Sequence, residues 1–229
     1  MSISGKLTRK LTNYDSNQSI ASRLRTKRIL PLLSTIESVF NEHGKVNIID
    51  IGGTEAYWNI VPRTFLEAHI VRITIINIPG TMNAKDHGPF RFLEGDGCNL
   101  SNFKDGSFHI SHSNSVLEHV GDWSRMVEFS KELRRVSQHI FVQTPNYWFP
   151  IEPHCMTPFF HWLPKPVRVW LVLHFQLGHW ERADSIDKAV RTVESARLLN
   201  RKMFHELFND ARIETERFYG LPKSFIAIK

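Results

Sequence analysis

The sequence has few cysteines and no long hydrophobic run. Cys98 and Cys155 are its two cysteines, too few and too isolated to form a disulfide framework or a zinc site. The longest apolar run, around Val169 to Leu173, is far shorter than the roughly 20 residues that cross a membrane. The N-terminus also lacks the apolar core of a signal peptide. We therefore expect a soluble protein in the reducing cytoplasm, and we predict no metal site.

Positive charge is concentrated at one end of the 229-residue chain. The net charge is +6 at neutral pH, and the first 28 residues account for it, because basic and acidic residues balance in the rest. Such an N-terminal arm can attract phosphate groups or the surface of an anionic membrane. Alternatively, it is a solvated helix face beside a frayed terminus. Its basic residues are Lys6, Arg9, Lys10, Arg23, Arg25, Lys27 and Arg28.

Short apolar runs alternate with helical patterns along most of the chain. Ser19–Phe40 has helical spacing, and Pro31 is expected to divide or kink that helix. Strand, helix and strand alternate after it, which predicts a parallel, doubly wound α/β sheet. Two further strands at the C-terminus, joined through Gly220-Leu221-Pro222, would make the sheet mixed. The predicted strands are Val46–Ile51, Val71–Ile78, Arg91–Glu94, Phe108–Ser111, Ile140–Gln143, Ile213–Phe218 and Ser224–Ile228, and the predicted helices between them are Tyr57–Glu67 and Trp123–Val136.

Polar residues and glycines follow the first four strands. Asp50-Ile51-Gly52-Gly53 ends the first strand, Asn77 the second, Asp96-Gly97 the third and Ser113-Asn114 the fourth. Parallel strands end at one edge of the sheet, where ligands bind in this architecture. Each position also has an ordinary structural explanation: Asp50 as a strand-end cap, Asn77 and Asp96 as turn residues, and Cys98 as a packed thiol.

The segment 147–180 breaks this alternation. It contains nine aromatic residues and four histidines, and its first half is rich in proline. Val167–Leu177 can form a helix after Pro166, and Asn200 can cap a short helix that follows. We interpret the wider segment 147–200 as a substrate lid that excludes water. The alternative is a second hydrophobic cluster that completes the core.

The ordered motifs resemble the class I S-adenosylmethionine-dependent methyltransferases, in particular a bacterial small-molecule branch. The resemblance spans roughly Arg23 to Lys229 as one domain, 1–229, with the arm and a cap helix at 1–43 and the lid at 147–200. It implies a Rossmann-like, seven-stranded mixed sheet of order 3-2-1-4-5-7-6 with helices on both faces. The motifs that carry it are Asp50, Phe108-His109-Ile110, Val116-Leu117-Glu118-His119, Arg135-Val136, Gln143-Thr144-Pro145-Asn146, Phe149-Pro150-Ile151-Glu152-Pro153-His154 and Gly220-Leu221-Pro222-Lys223-Ser224-Phe225.

The resemblance also implies where S-adenosylmethionine would bind. Gly52-Gly53-Thr54 would lie against its methionine part, and Asp50 would orient that turn and the cofactor's amino group. The ribose and adenine would contact Asn77, Ile78, Asp96, Gly97 and Cys98, and Ser113 would meet the sulfonium end. Three positions depart from the family: Thr54 replaces a third glycine, while Asn77 and His109 replace acids. A neutral amide at position 77 lacks the charge-assisted bond that a carboxylate would make.

Histidine is the side chain best suited to remove a proton from a hydroxyl acceptor near neutral pH. His154 and His119 are the candidate bases, and Glu152 could orient either of them. Glu152, His161 and Trp148 are the candidate substrate-binding residues, whereas His174 and His179 are assigned to packing of the lid. The acceptor would be an apolar, aromatic, lipid-linked or sugar-linked small molecule, methylated on oxygen.

Two other functions compete with this interpretation. A catalytically inactive binding protein of the same fold would explain Thr54 and Asn77. A nucleic-acid methyltransferase would explain the basic arm, but the fourth strand ends in Ser113-Asn114-Ser115-Val116 and lacks the Asn/Asp-Pro-Pro-aromatic motif. A nicotinamide oxidoreductase is disfavoured because Gly-x-Gly-x-x-Gly is absent after the first strand. Neither the oligomeric state nor the identity of the acceptor follows from these motifs.

Overall fold

A computed structural model describes residues 20–81 and 84–229, with side chains from residue 28 onward. Within these ranges the strands are β1 (Val46–Ile51), β2 (Val71–Asn77), β3 (Phe90–Glu94), β4 (Phe108–Asn114), β5 (Ser137–Pro145), β6 (Arg212–Phe218) and β7 (Leu221–Ile228). The α-helices are α1 (Ile20–His43), α2 (Glu55–Trp58), α3 (Arg63–Ala68), α4 (Trp123–Val136), α5 (Lys165–His174), α6 (Ile186–Glu194) and α7 (Arg201–Leu207). Single turns of 3₁₀-helix lie at Leu117–His119 and Phe160–Trp162.

The strands form one mixed sheet of order β3-β2-β1-β4-β5-β7-β6. Strands β1 to β5 are parallel, and β7 runs antiparallel between β5 and β6. This confirms the predicted order and the mixed sheet. The carboxyl ends of β1, β2, β3 and β4 therefore share one edge, which is where the predicted site lies.

Helices cover both faces of the sheet, as predicted. On one face α1, α2 and α3 enclose a core that includes Ile36, Trp58 and Ile73. On the other face α4 and α7 pack Phe129, Leu133 and Phe204 against the strands. Strand β1 is buried along nearly its whole length, which fits its largely apolar sequence, whereas the central strand β4 is equally buried although it contains two histidines and two serines.

Two of the predicted helices differ from those in the structure, and each of the differences lies at a proline. Pro31 lies inside the single helix α1, so the prediction of two pieces is wrong. Buried Ile29, Leu32 and Ile36 keep one face of α1 packed on both sides of the proline. In contrast, the helix predicted at Tyr57–Glu67 is divided into α2 and α3, because Pro62 precedes Arg63 and starts a new helix there.

Segment 147–200 has a small hydrophobic core of its own. It consists of the buried residues Cys155, Phe160, Val172, Ala183, Ala189 and Val193. Helix α5 confirms the helix predicted at Val167–Leu177 with shifted bounds, and Asn200 caps α7 by accepting a hydrogen bond from the Met203 amide at 3.0 Å. Helix α6 was not predicted from the sequence. A core separate from the two sheet cores favours the lid interpretation over a completion of the main core.

Helix α1 is joined to the far edge of the sheet through Arg28. Its guanidinium forms a two-pronged ion pair with Glu216 on β6, with distances of 2.8 and 2.9 Å, and donates to Asn114 Oδ1 at 2.7 Å. Arg28 is thus buried, and the solvated alternative is wrong for this residue. The side chains of the other six basic residues of the N-terminal arm lie outside the described part of the chain. None of the described helices is both long and apolar enough to cross a membrane.

Candidate functional site

The turn after β1 is formed by Gly52 and Gly53, which lie too close to their neighbours to carry side chains. Gly52 has φ of +69°, and a Cβ atom there would lie 2.5 Å from Val116 Cγ2. A Cβ atom on Gly53 would lie 1.9 Å from Asp50 Oδ2. Only glycine fits both positions, and Gly52 also lines the cavity beside this turn.

Asp50 supports this turn from beneath. Its carboxylate is fully buried and accepts hydrogen bonds from Trp58 Nε1 at 2.8 Å and from His112 Nδ1 at 2.6 Å. His112 pairs with Asp50 in the register of β1 and β4, so their side chains meet on one face of the sheet. Asp50 therefore ties the turn to α2 and β4, while its contact with a cofactor amino group stays a prediction.

A cavity of about 330 Å³ opens beside the glycine turn. Of the predicted cofactor residues, Gly52, Asn77, Ile78, Asp96 and Gly97 line it. Asp50, Gly53, Thr54, Cys98 and Ser113 do not reach its described wall. Cavity-lining residues that sequence analysis missed are Ser115, Val116, Arg125 and Phe129.

Two of the residues off the wall, Ser113 and Cys98, have clear local roles, and Thr54 precedes α2 without a side-chain hydrogen bond that caps it. Ser113 is buried and donates to the Ile51 carbonyl at 3.3 Å, and Thr54 is exposed before α2. Cys98 donates its thiol to the Arg125 carbonyl at 3.3 Å. Burial raises the pKa of this thiol to about 11, so Cys98 is a protonated packing residue. Direct contact between a cofactor and these three side chains remains a prediction.

Asn77 and Asp96 hold the opposite wall in place. Asn77 Nδ2 donates to the Gly53 carbonyl at 2.9 Å, which joins the end of β2 to the glycine turn. Asp96 accepts two hydrogen bonds from Arg125, at 2.8 and 2.9 Å, and one from the Cys98 amide at 3.0 Å. Burial alone would raise the pKa of Asp96, but these bonds outweigh it and hold that pKa below its ordinary value. Asp96 is therefore a fixed anion at the cavity.

A second cavity, of about 470 Å³, lies within segment 147–200, which is the predicted lid. Glu152 and His161 line it, whereas Trp148 is 60% exposed and does not. His161 donates from Nε2 to the Tyr147 carbonyl at 2.7 Å, so its Nδ1 carries a lone pair, and burial lowers the pKa of its ring. No described residue hydrogen-bonds His161 Nδ1 or Arg168 Nε, which are both buried here. The wall is more polar than segment 147–180 predicts, because residues 192–198 contribute to it.

The two predicted catalytic histidines meet between these cavities. His154 Nε2 and His119 Nε2 are 3.1 Å apart, and the rings meet edge to face. His154 Nδ1 donates to Glu152 Oε1 at 2.7 Å, and His119 Nδ1 donates to the Ser195 carbonyl at 2.7 Å. His119 lines the first cavity, while Glu152 and Ser195 line the second.

Charge at this contact favours a protonated His154. Burial acts to lower the pKa of His154, but the hydrogen bond and charge of Glu152 outweigh it, and the net pKa is raised. Glu152 also accepts from the His154 and Cys155 amides at 2.7 Å, and its pKa is lowered although burial alone would raise it. Glu152 is therefore an anion aimed at His154.

Glu118 is a buried acid that was not among the predicted site residues, although it directly precedes His119. Its Oε2 accepts from Thr144 Oγ1 at 2.9 Å, and burial raises the pKa of its carboxyl group. Arg125 gave no sequence signal, because its contact with Asp96 depends on how α4 docks. An acid beside a candidate catalytic histidine is the one sequence signal that could have pointed to Glu118.

Comparisons with known proteins agree with this geometry. Residues 52–139 match the family model described as a methyltransferase domain. Comparison with curated proteins gives no match.

Among solved structures, the chain is similar to a SAM-dependent methyltransferase from Methanosarcina mazei, with 18% identity, a TM-score of 0.45, and coverage of 80% of this chain and 91% of that one. It is also similar to an O-methyltransferase family protein from Burkholderia thailandensis, with 14% identity, a TM-score of 0.46 and coverage of 97% and 66%. LepI in complex with SAM gives a TM-score of 0.51 at 10% identity, and the match covers 87% of this chain but only 46% of LepI. The likeness to LepI supports a shared fold. The match of residues 52–139 to a methyltransferase domain, the sheet order and the glycine turn of β1 together support a class I S-adenosylmethionine-dependent methyltransferase.

Proposed function

We propose that the protein transfers the methyl group of S-adenosylmethionine to a hydroxyl oxygen of a small molecule, or of a lipid-linked or sugar-linked metabolite, held under the lid. The observation that carries this proposal is the contact between His119 and His154. His119 lines the cavity beside the glycine turn, and its partner is oriented by Glu152, which lines the lid cavity. A basic pair thus stands where a donor in one cavity would meet an acceptor in the other.

The cavity beside β1 has the features that the cofactor needs. The open face of Gly52 would accommodate the methionine part, as the backbone there has no side chain to exclude it. Asn77 and the fixed anion Asp96 offer polar groups for the ribose and the adenine, and the exposed Ile78 offers an apolar surface for the base. Asp50 would act through the turn that it supports.

Methyl transfer of this kind needs alignment and removal of one proton. The acceptor oxygen would attack the methyl carbon in line with the sulfur, so that the O–C bond forms as the S–C bond breaks. The positively charged sulfonium already activates the methyl group, and the protein contributes mainly proximity. The hydroxyl proton would pass to Nε2 of the histidine pair, and Glu152 would stabilise the resulting charge.

The lid cavity favours an acceptor that combines a ring or apolar body with hydroxyl groups. Phe160, Trp162 and Trp180 line it with aromatic surface. His161 Nδ1 can accept a hydrogen bond from a hydroxyl, and Arg168 Nε can donate one. Contact of the basic N-terminal arm with an anionic membrane is a further proposal, which would bring the enzyme to a lipid-linked acceptor.

Calorimetry with S-adenosylmethionine and S-adenosylhomocysteine tests the donor half of this function. We expect both to bind, and we expect Asp96→Ala to weaken binding at least about tenfold, since a polar anchor of the cavity is removed. Asp105→Ala removes a more exposed partner of a different arginine and is the matched control. Absence of binding of either ligand would overturn the proposal.

Release of S-adenosylhomocysteine on incubation with a metabolite extract tests the acceptor half. His154→Gln should bind the donor normally and lose methyl transfer, because the base is gone while the cavity beside β1 is intact. Tight donor binding with no turnover by the unmodified protein would instead favour a catalytically inactive binding protein.

A further inference from the structure

Hydrogen bonds fix which nitrogen of each catalytic histidine carries a proton. The Ser195 carbonyl can only accept, so His119 Nδ1 must be the protonated nitrogen of that ring. Glu152 is an anion and also only accepts, so His154 Nδ1 carries the proton in the second ring. In the two neutral rings, both Nε2 atoms therefore present lone pairs to each other.

At 3.1 Å two such lone pairs repel each other unless a cation lies between them, either a proton, which makes His154 the donor to His119, or a metal ion that displaces that proton. Nitrogen ligands about 2.0–2.1 Å from a zinc ion are separated by about 2.9 Å at a right angle and about 3.3 Å in a tetrahedron. The observed separation falls within that interval. The outer nitrogens are bonded to a carboxylate and a carbonyl, which is how histidine ligands of metals are usually oriented.

Glu118 supplies an independent third group. One of its carboxylate oxygens lies within 4.8 Å of a ring nitrogen of each histidine, and the residue is 1% exposed. Among the described residues, Glu118 Oε1 has no hydrogen-bond partner. An unpartnered carboxylate oxygen is costly in such a buried position, and a nearby cation would stabilise it.

We propose that Glu118, His119 and His154 form a binding site for one divalent transition-metal ion of the zinc type. Two imidazoles and one carboxylate match the donor set of catalytic zinc sites, which keep a fourth position open. The exposed ring of His119 lines the cofactor cavity, so the open position would face the reacting groups. The scarcity of cysteine, which led us to predict no metal, is no obstacle to this donor set.

Surrounding residues hold the three ligands in place. Thr144 donates to the second oxygen of Glu118, and the Arg197 amide donates to the Glu118 carbonyl at 2.7 Å. The role of this site in methyl transfer rests on the proposed function, whereas the binding of the ion does not. With an ion bound, the two Nε2 atoms would be its ligands rather than the base, so an acceptor hydroxyl bound to the ion would release its proton to water at a lower pH and attack the methyl group as the oxyanion.

The test uses untagged, full-length protein, freed of metal by a chelator and then titrated with ZnCl₂ in a calorimeter and with CoCl₂ in a visible spectrometer. We expect one ion per chain and cobalt absorption bands typical of a low-symmetry nitrogen and oxygen site. Glu152→Gln removes a residue that orients a ligand and should weaken metal binding by about 10–100-fold. His119→Gln removes a ligand itself and should weaken metal binding by more than about 100-fold. His205→Gln removes an exposed histidine on α7 and should bind as the unmodified protein does.

Each outcome has a distinct meaning. Failure of both ions to bind, or equal binding by His119→Gln, would overturn the metal site and favour a proton shared between the two rings. Calorimetry with S-adenosylmethionine on the same metal-free sample separates this from the proposed function. If S-adenosylmethionine binds and the metal does not, the methyltransferase proposal stands and the metal site is wrong. If the metal binds and S-adenosylmethionine does not, the metal site stands and the methyltransferase proposal is wrong. His119 is exposed, so its variant is expected to fold, and a thermal unfolding curve verifies this.

Discussion

At the scale of single residues, Gly52 combines an unusual backbone angle with a crowded surrounding. Gly106 is the natural comparison for Gly52, because its φ of +65° is close to the +69° of Gly52. Around Gly106, however, no neighbouring atom of the described residues lies within 4 Å of the position that a Cβ atom would take. We expect Gly106→Ala to cost only the strain of a left-handed alanine, about 1–2 kcal/mol of unfolding free energy. Gly52→Ala should cost about 1–3 kcal/mol more because its Cβ would overlap Val116. Urea unfolding measures both variants.

The same pair of variants tests the cofactor cavity. Gly52→Ala should also lose affinity for S-adenosylmethionine, because Val116 lines that cavity and would have to move. Gly106→Ala should bind normally. Equal stability and equal affinity in the two variants would contradict the crowding that separates them.

The pair of Glu152 and His154 predicts a pH effect at one nitrogen. Burial acts to lower the pKa of His154, but Glu152 outweighs it and the net pKa is raised. The protonated ring and its attraction to Glu152 therefore persist to a higher pH, and they are lost as pH rises through that raised pKa. Glu152→Gln should lower the pKa of His154 below its value in the unmodified protein. Histidine NMR titration of metal-free protein measures this, and Glu194→Gln, which changes a lid glutamate paired with Lys165, should leave the His154 titration unaltered. An unchanged titration in Glu152→Gln would contradict the assignment.

At the scale of secondary-structure elements, the ion pair of Arg28 and Glu216 joins α1 to β6. Both side chains are less than a tenth exposed, so Arg28→Ala would leave a buried, poorly compensated carboxylate. We expect a loss of about 3–5 kcal/mol in unfolding free energy. The pKa of Glu216 is lowered by Arg28 although burial alone would raise it, so the loss should be largest near neutral pH and should shrink as pH falls through that pKa. Urea unfolding at several pH values tests this.

Arg63→Ala provides the comparison for Arg28. It breaks an exposed pair with Glu67 one helical turn away, which contributes only about 0.3–0.5 kcal/mol. A loss in Arg28→Ala no larger than that in Arg63→Ala would mean that α1 does not depend on this ion pair.

The sheet could be predicted from the sequence because its signals are local. Runs such as Val46–Ile51 are mostly apolar and are followed by turn residues, which is typical of buried parallel strands. Helix α6 escaped prediction although Ser185 caps it and Ala189 and Val193 give it a buried face, because its pattern is short and lies beyond the aromatic segment. The division at Pro62 follows from the extended backbone of that proline, whereas the continuity of α1 at Pro31 goes with the packing of its buried face.

The site could be predicted only where one residue type already indicates chemistry. A glycine, an amide and an acid at three strand ends pointed to Gly52, Asn77 and Asp96, and all three line one cavity. The contact of His119 with His154 joins residues 35 positions apart and required the lid to fold back over β4. Arg125 acts through a tertiary contact that no local pattern contains, whereas the only local signal for Glu118 is its position beside His119.

At the scale of the whole molecule, the lid and the sheet have separate hydrophobic cores. Phe160 belongs to the lid core, and Leu133 on α4 belongs to a core of the sheet. Small cores can open locally without unfolding the rest, and lids are drawn from such low-stability regions. The cavity beside the glycine turn, where S-adenosylmethionine is proposed to bind, is lined mainly by residues at the sheet edge. His119 also lines this cavity and contacts segment 147–200 through His154 and the Ser195 carbonyl. Donor binding should therefore survive opening of the lid, whereas methyl transfer should not.

Phe160→Ala tests this separation of lid and sheet. Removing a buried phenylalanine costs about 3–5 kcal/mol, which here should exceed the local stability of the lid core. We expect faster amide hydrogen exchange in segment 147–200 and unchanged exchange in β1, β4 and β5. The affinity for S-adenosylmethionine should stay within about twofold of that of the unmodified protein, since no contact with the methyl donor is lost. Leu133→Ala, a change of about 2–5 kcal/mol in the sheet core, should instead speed exchange in both regions, because global unfolding exposes both. Equally fast exchange in β1 and in segment 147–200 of Phe160→Ala would mean that the two cores unfold as one cooperative unit. In that case the lid could not open to admit an acceptor while S-adenosylmethionine stays bound at the sheet edge.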